Sequence, residues 1–268
     1  MINLMTLNAA LPGAQSKKFP WPVTLFRQNE IDLLCCQSVP CTPDDQTPDN
    51  RRLPAFSGLT CSCFAPGRPR RPDTSDDEQL SGGLAIFTGA GVWVLNSGSF
   101  IIGEGEVATL VQFALVRKHG ASLLALNLQL DRLHETRIRQ LCELFAHDLL
   151  NASYGAVVLC ANRAATFSAM QWKQISARSG YVLRQKPLAT SSIGLLGLFT
   201  SRRPKTPATR GYWSARAEAV NAGHASSPSV LTMAVDIQRI DPDTPSRPAF
   251  PLSFYEQWPG CREQRILA

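Results

Sequence analysis

The chain has 268 residues, 44% of them apolar and 18% charged, with a formal net charge of +6. That length can bury a large core; the charged fraction lies below the roughly 25% usual in soluble domains, and 19 Pro with 18 Gly speak against a helical bundle and for a loop-rich sheet protein. No apolar run approaches the roughly 20 residues that cross a bilayer, and no basic segment leading into an apolar one opens the chain, so a soluble, intracellular protein is expected.

In chain order, residues 1–8 read as a strand ending in Asn8, before a Pro-Gly turn. Residues 21–30 read as a short helix with Pro22 near its start. Ile31 to Cys36, with Asp32 as the one polar residue, form an apolar run, the pattern of a strand covered on both faces. From residue 40 to 80 the chain is rich in Pro and carries an acidic run, Asp73 to Glu78; it is expected to be a mobile insertion that contributes little to a packed sheet. Strands follow at 83–87, 92–95, 108–116 and 121–126, the last two flanking a hairpin loop at Arg117 to Gly120. Between Leu133 and Leu150, Leu133, Ile138, Leu141, Leu144, Phe145 and Leu149 recur at helical spacing. Residues 156–160 predict a buried strand, 168–178 a helix closed by Gly180, and 180–183, 193–199 and 230–237 further strands. Residues 239–268 form a Pro-rich tail without periodic apolar positions, though Phe254, Tyr255 and Trp258 offer docking points.

Eight cysteines would permit disulfides, yet Cys35, Cys36 and Cys160 lie inside apolar strands, where a free thiol behaves as a small hydrophobe. Cys61 and Cys63, with Cys35, Cys36 and Cys41 upstream, lack the paired spacing of a structural zinc site. A reducing compartment and no resident metal are expected.

The order and spacing of the segments from residue 1 to 238 resemble the endonuclease/exonuclease/phosphatase superfamily, which includes DNA-repair nucleases, DNase I-like enzymes, inositol phosphatases and neutral sphingomyelinases. The resemblance implies an α+β fold, a four-layer α/β/β/α sandwich of two mixed β-sheets in a single domain. Asn8 matches the Asn closing the family's first strand, and Gly82 to Thr88 match its Gly-rich edge strand. Gln37 and Ser38 stand where the family has Gln-Glu, the Glu holding the metal. Leu126 to Leu130 resemble the family's Asn-Thr-His-Leu motif with Asn127 kept and Gln129 in place of His; Arg137 and Gln140 also fit the helix that follows. Val157 to Ala164 resemble the strand leading into Gly-Asp-Phe-Asn, with Asn162 for the Asp and Ala164 for the Asn. Gly194, Pro228 and Ser229 fill the positions of two further Asp residues and a His.

On that resemblance the fold is kept and the chemistry removed. Mg2+ is a hard cation held through carboxylates and water, and an amide or hydroxyl at Asn162, Gln129 and Ser229 cannot take a proton near neutral pH. The expectation is a catalytically inactive binding or structural component of a macromolecular assembly, without cofactor. Two alternatives stay open. One is a divergent Mg2+-dependent phosphodiesterase or phosphatase of nucleic acid or phospholipid headgroups, with ligands recruited from residues 73–78. The other is a nucleic-acid binder that does not cut. The compact basic clusters, Arg68, Arg70 and Arg71 and then Arg202, Arg203 and Lys205, are the candidates for binding a protein or nucleic acid with an acidic surface. His119, His134, His147 and His224 are assigned surface roles, His224 with the reservation that its loop could bring it to the cleft.

Overall fold

The structure, a computed structural model, describes residues 1–8, 31–39, 58–67, 82–105, 108–151, 154, 156–162, 167–179, 181–183, 188–190, 194–201, 213–220 and 230–239. The strands in chain order are β1 (Ile2–Asn8), β2 (Leu33–Val39), β3 (Leu59–Ala65), β4 (Gly83–Gly89), β5 (Trp93–Ile102), β6 (Thr109–Lys118), β7 (Ala121–Leu128), β8 (Ala156–Ala161), β9 (Tyr181–Leu183), β10 (Leu188–Thr190), β11 (Gly194–Ser201), β12 (Trp213–Val220) and β13 (Val230–Arg239). They form two sheets, ordered β12-β13-β1-β2-β4-β3 and β10-β11-β8-β7-β6-β5, with β9 also paired to β11. Both are mixed: β1–β2 is parallel in the first and β7–β8 in the second, and the other described pairs are antiparallel.

Each parallel pair consists of runs apolar on both faces, as strands buried on both sides must be. Leu4, Leu33, Cys35 and Ile86 of the first sheet meet Val116, Leu123, Ala125, Val158 and Cys160 of the second to form the inner core. On the outer face of the second sheet Phe113, Leu124, Leu126, Val157 and Leu159 pack beneath α1 (His134–Ala146) and α2 (Ala169–Ile175) through Leu141, Leu144, Phe145, Trp172 and Ile175. The outer face of the first sheet, with Met5, Leu34, Cys36, Ala85 and Phe87, is buried as well; no described helix lies on it. The result is an α+β sandwich in a single domain. No described helix is long and apolar enough to cross a membrane.

Local chemistry explains the boundaries. The two-residue turn between β6 and β7 places His119 and Gly120 at φ +48° and +80°, the left-handed pair that matches strand twist in a tight hairpin. Helix α2 opens with a reciprocal cap: the Ser168 hydroxyl accepts from the Gln171 N–H at 3.2 Å, and the Gln171 side chain accepts from the Ser168 N–H at 2.8 Å. At the end of the sandwich where β1 begins, Lys118 Nζ donates to both Asp32 oxygens at 2.7 and 2.8 Å, and Asp32 also accepts from the Asn3 N–H at 2.9 Å. This pair fastens the hairpin of one sheet to the parallel pair of the other.

Three observations depart from the sequence expectations. Residues 59–65, within the stretch expected to contribute little to a sheet, are edge strand β3, paired antiparallel to β4; an edge strand needs only one neighbour, so Pro-rich flanks do not prevent it. Strands β10 and β12 were not anticipated; β12 alternates small and charged residues, Ala215-Arg-Ala-Glu-Ala219, a weak strand signal. His147 is half-buried and stacked on Phe100, ring centroids 4.0 Å apart, so it is more than a surface residue. The expected helix at 21–30, Gly180, His224 and nearly all of the tail lie outside the described residues.

Candidate functional site

Parallel pairing puts the C-terminal ends of β1 and β2 together, with Asn8 opposite Gln37. It does the same for β7 and β8, with Leu128 opposite Ala161. Both pairs end on the same side of the sandwich, because Asn8 Nδ2 donates to the Asn162 carbonyl at 3.4 Å. Strand β11 starts there too: Leu195, next to Gly194, is paired with Ala161. The structure therefore gathers Asn8, Gln37, Ser38, Asn127, Gln129, Asn162 and Gly194 at one end. Ala164, Pro228 and Ser229 lie outside the described residues, as do all six residues of the basic clusters.

The side chains at this end are occupied with one another. Deepest is Asn127, fully buried: Oδ1 accepts from Gln37 Nε2 at 2.7 Å, and Nδ2 faces the Cys36 carbonyl, the Gln112 Oε1 and the Ala85 carbonyl at 3.0, 3.1 and 3.2 Å. Gln37 donates as well to Thr6 Oγ1 at 2.8 Å. Gln112 donates to the Leu84 carbonyl and Cys63 Sγ, both at 3.2 Å. Since β1, β2, β3 and β4 belong to one sheet and β6 and β7 to the other, these amides bolt the sheets together through the inner core.

Nearer the surface, Gln129 Nε2 donates to Ser38 Oγ at 3.1 Å and to the Gly82 carbonyl at 3.0 Å. Asn162 Oδ1 accepts from the Leu130 N–H at 2.8 Å, which holds the end of β8 to the segment leaving β7. Ser38 sits at φ +56°, in the left-handed region that costs an L-residue roughly 1–2 kcal/mol. The cause is the irregularity in β2–β4 pairing between Cys36 and Val39 and the approach of Gly82, where a Cβ would come 2.3 Å from the Ser38 carbonyl carbon. Only glycine fits at 82.

The strand-end side chains Asn8, Gln37, Ser38, Asn127, Gln129 and Asn162 are neutral groups. Burial pushes the Cys36 thiol well up, with Cys35 adding to it, and burial does the same to Cys160, so neither is a thiolate nucleophile. Asp131 spends a carboxylate oxygen on the Leu133 N–H at 2.7 Å, and Arg137 Nη1 donates to the Arg132 carbonyl at 3.2 Å; both brace the turn into α1. Among the described residues no three His, Cys, Asp or Glu side chains come together in a way that could hold a metal ion. The donor set at Ser38, Gln129 and Asn162, two amides and a hydroxyl, carries no negative charge. Amides donate and accept hydrogen bonds but take no proton near neutral pH.

Gln112 is the site residue that sequence reasoning missed. Its one signal was a lone amide inside the apolar run 108–116, and its purpose becomes visible only when the opposing sheet supplies Leu84 and Cys63.

No family model matches the sequence, and no curated protein sequence matches it either. Solved structures do. An endonuclease/exonuclease/phosphatase from Bacteroides vulgatus superposes with a TM-score of 0.57 at 12% identity, covering 89% of this chain and 98% of that one. The human Nocturnin catalytic domain with bound sulfate anion gives 0.57 at 16% identity, over 88% and 94%. A family protein from Leptotrichia buccalis gives 0.59 at 10% identity, over 89% and 100%. At such identities the likeness concerns the fold: this chain has the architecture of the endonuclease/exonuclease/phosphatase superfamily.

Proposed function

We propose that this chain is a catalytically silent protein on an endonuclease/exonuclease/phosphatase fold, serving as a binding or structural component of a macromolecular assembly. The observation that carries the reading is the set of neutral amides at the strand ends, Asn8, Gln37, Asn127, Gln129 and Asn162. They are satisfied by each other and by backbone, where hydrolysis of a phosphoester needs a base for water and an anchor for the cation. Asn162 occupies the place of a water-polarising carboxylate, and its oxygen is committed to the Leu130 N–H. Ser38 stands where a metal-holding carboxylate would be, in a left-handed conformation locked against Gly82. The basic clusters Arg68, Arg70, Arg71 and Arg202, Arg203, Lys205 are proposed to meet an acidic protein or nucleic acid.

The purified chain is expected to show no Mg2+- or Mn2+-dependent hydrolysis of DNA, RNA, phosphoinositide or sphingomyelin. Ser38→Glu alone should not restore turnover, because the other positions stay neutral and such groups act as a unit. Robust metal-dependent turnover that is lost in Asn162→Ala overturns this reading in favour of a divergent phosphodiesterase.

A further inference from the structure

The contacts that hold the outer side chains of the amide end use only part of what each group offers. Gln129 Nε2 donates to the Gly82 carbonyl at 3.0 Å, an oxygen that can only accept, so the nitrogen is fixed there and Oε1 is left over as an acceptor. The Leu130 N–H can only donate, and at 2.8 Å it fixes the oxygen of Asn162, which leaves Nδ2 over as a donor. Ser38 Oγ accepts from Gln129 Nε2 at 3.1 Å, so its hydrogen is left to donate elsewhere. Among the described residues none meets these three remaining groups. They stand in a row: Gln129 touches Ser38 on one side, and on the other its chain neighbour Leu130 is bonded to Asn162. The order along the row is donor, acceptor, donor. Gln129 and Asn162 are half-buried and Ser38 is buried. Apolar surface adjoins the row, because the β6–β7 register carries Leu110 opposite Gln129 on the same face, and Leu110 is paired in turn with Ile101, which is 51% exposed. Ser38 is held at φ +56°, and a strained residue that the surrounding packing maintains points to a use for its position.

We propose that this row binds an uncharged planar ligand through an acceptor–donor–acceptor edge, the imide edge that uracil and thymine present, with Ile101 and Leu110 against the ring. An imide supplies oxygen, N–H and oxygen in the order that Ser38, Gln129 and Asn162 complement. The cytosine edge carries an amine in place of one oxygen, which sets donor against donor at one end of the row and acceptor against acceptor in the middle. An anion finds no positive charge in the row. The proposal rests on the reading of this end as non-hydrolytic.

The test is calorimetry and ligand-observed NMR on the full chain in EDTA, with uridine, 3-methyluridine and cytidine. Uridine should bind with a Kd on the order of 0.1–1 mM, the range for a ligand of its size. 3-Methyluridine, which lacks the N–H, and cytidine should bind roughly tenfold more weakly or worse. A short oligouridylate at high salt, where phosphate contacts are screened, distinguishes the sources of the edge: tighter binding than uridine assigns the site to a base within a strand, equal or weaker binding to the free nucleoside. Asn162→Asp keeps an oxygen on the Leu130 N–H and turns the remaining donor into an acceptor. It should lose uridine roughly tenfold and gain guanosine, whose edge carries an oxygen, an N–H and an amine. Ser38→Gly relieves the backbone, so it should fold at least as stably as the parent yet bind uridine roughly fivefold more weakly. The proposal is overturned if the folded parent ignores uridine, if 3-methyluridine binds as well as uridine, or if Asn162→Asp binds uridine unchanged. Mg2+-dependent turnover in a separate assay sinks the non-hydrolytic reading and this proposal with it, whereas a parent without turnover that also ignores uridine sinks this proposal alone.

Discussion

Asn127→Ala is the sharpest probe of the bridge between the sheets. The substitution removes an acceptor facing Gln37 Nε2 at 2.7 Å and a donor group facing three oxygens at 3.0 to 3.2 Å, all in a fully buried setting. An amide has two hydrogens, so the net loss is two donated bonds and one accepted bond, each contributing about 1 kcal/mol. Among the described residues no other donor reaches Gln112 Oε1, and a buried orphan adds about 1 kcal/mol more. The sum, about 4 kcal/mol, is a large share of the roughly 5–15 kcal/mol that holds a domain together. It should lower the thermal midpoint by about 10 °C. Asn127→Asp keeps the size but turns a carboxylate toward three acceptor oxygens, so it should cost at least as much. Urea denaturation with an unchanged slope is the measurement. A loss below about 1 kcal/mol for both variants would refute the bridging role.

Three further outcomes follow from the geometry. Gly82→Ala drives a Cβ to 2.3 Å from the Ser38 backbone, which cannot yield cheaply, and should cost about 3 kcal/mol; Gly91→Ala, where nothing lies within 4 Å, meets only the φ penalty of about 1 kcal/mol, and equal effects at 82 and 91 would contradict the packing argument. Asp32→Ala, which strands Lys118, should cost about 3 kcal/mol, and adding Lys118→Met should recover at least half of it, as read from a double-mutant cycle. His147 is held below the ordinary 6.5 by burial, against smaller upward pulls from Asp148 and then Glu143, while its Nδ1 accepts from the Leu149 N–H at 3.2 Å. The folded chain therefore binds fewer protons here than the unfolded one, so stability is full above 6.5 and falls as pH drops below it; His147→Gln should flatten that slope, and an unaltered slope would remove His147 as its source.

Much of the architecture was legible because burial writes itself plainly into certain strands. Residues 33–36 and 156–160 are uninterrupted apolar runs, and their parallel partners are largely apolar as well. Helix α1 announced itself through Leu141, Leu144 and Phe145. Strand β3 was hidden because Leu59-Thr-Cys-Ser-Cys-Phe-Ala65 alternates within Pro-rich surroundings, and β12 because alanines and charges favour other states. At the site, Asn8, Gln37, Asn127, Gln129 and Asn162 could be placed because each ends or follows an apolar strand. What could not be read was whom they would bond. Gln112 has no meaning until Leu84 lies across from it, and the left-handed turn at Ser38 arises from a pairing irregularity that no residue type advertises.

The pairing of β1 with β13, Ile2 opposite Val235 and Leu7 opposite Val230, also governs the order in which the molecule can assemble. During synthesis β1 finds one of its two lateral neighbours only when residues 230–239 emerge. Until then β1 and β2 present an apolar, open edge, the kind of surface on which nascent chains associate wrongly. Closing so distant a pair is slow. A chain stopped before residue 230 should therefore depend on holding factors during synthesis, however complete its second sheet has become.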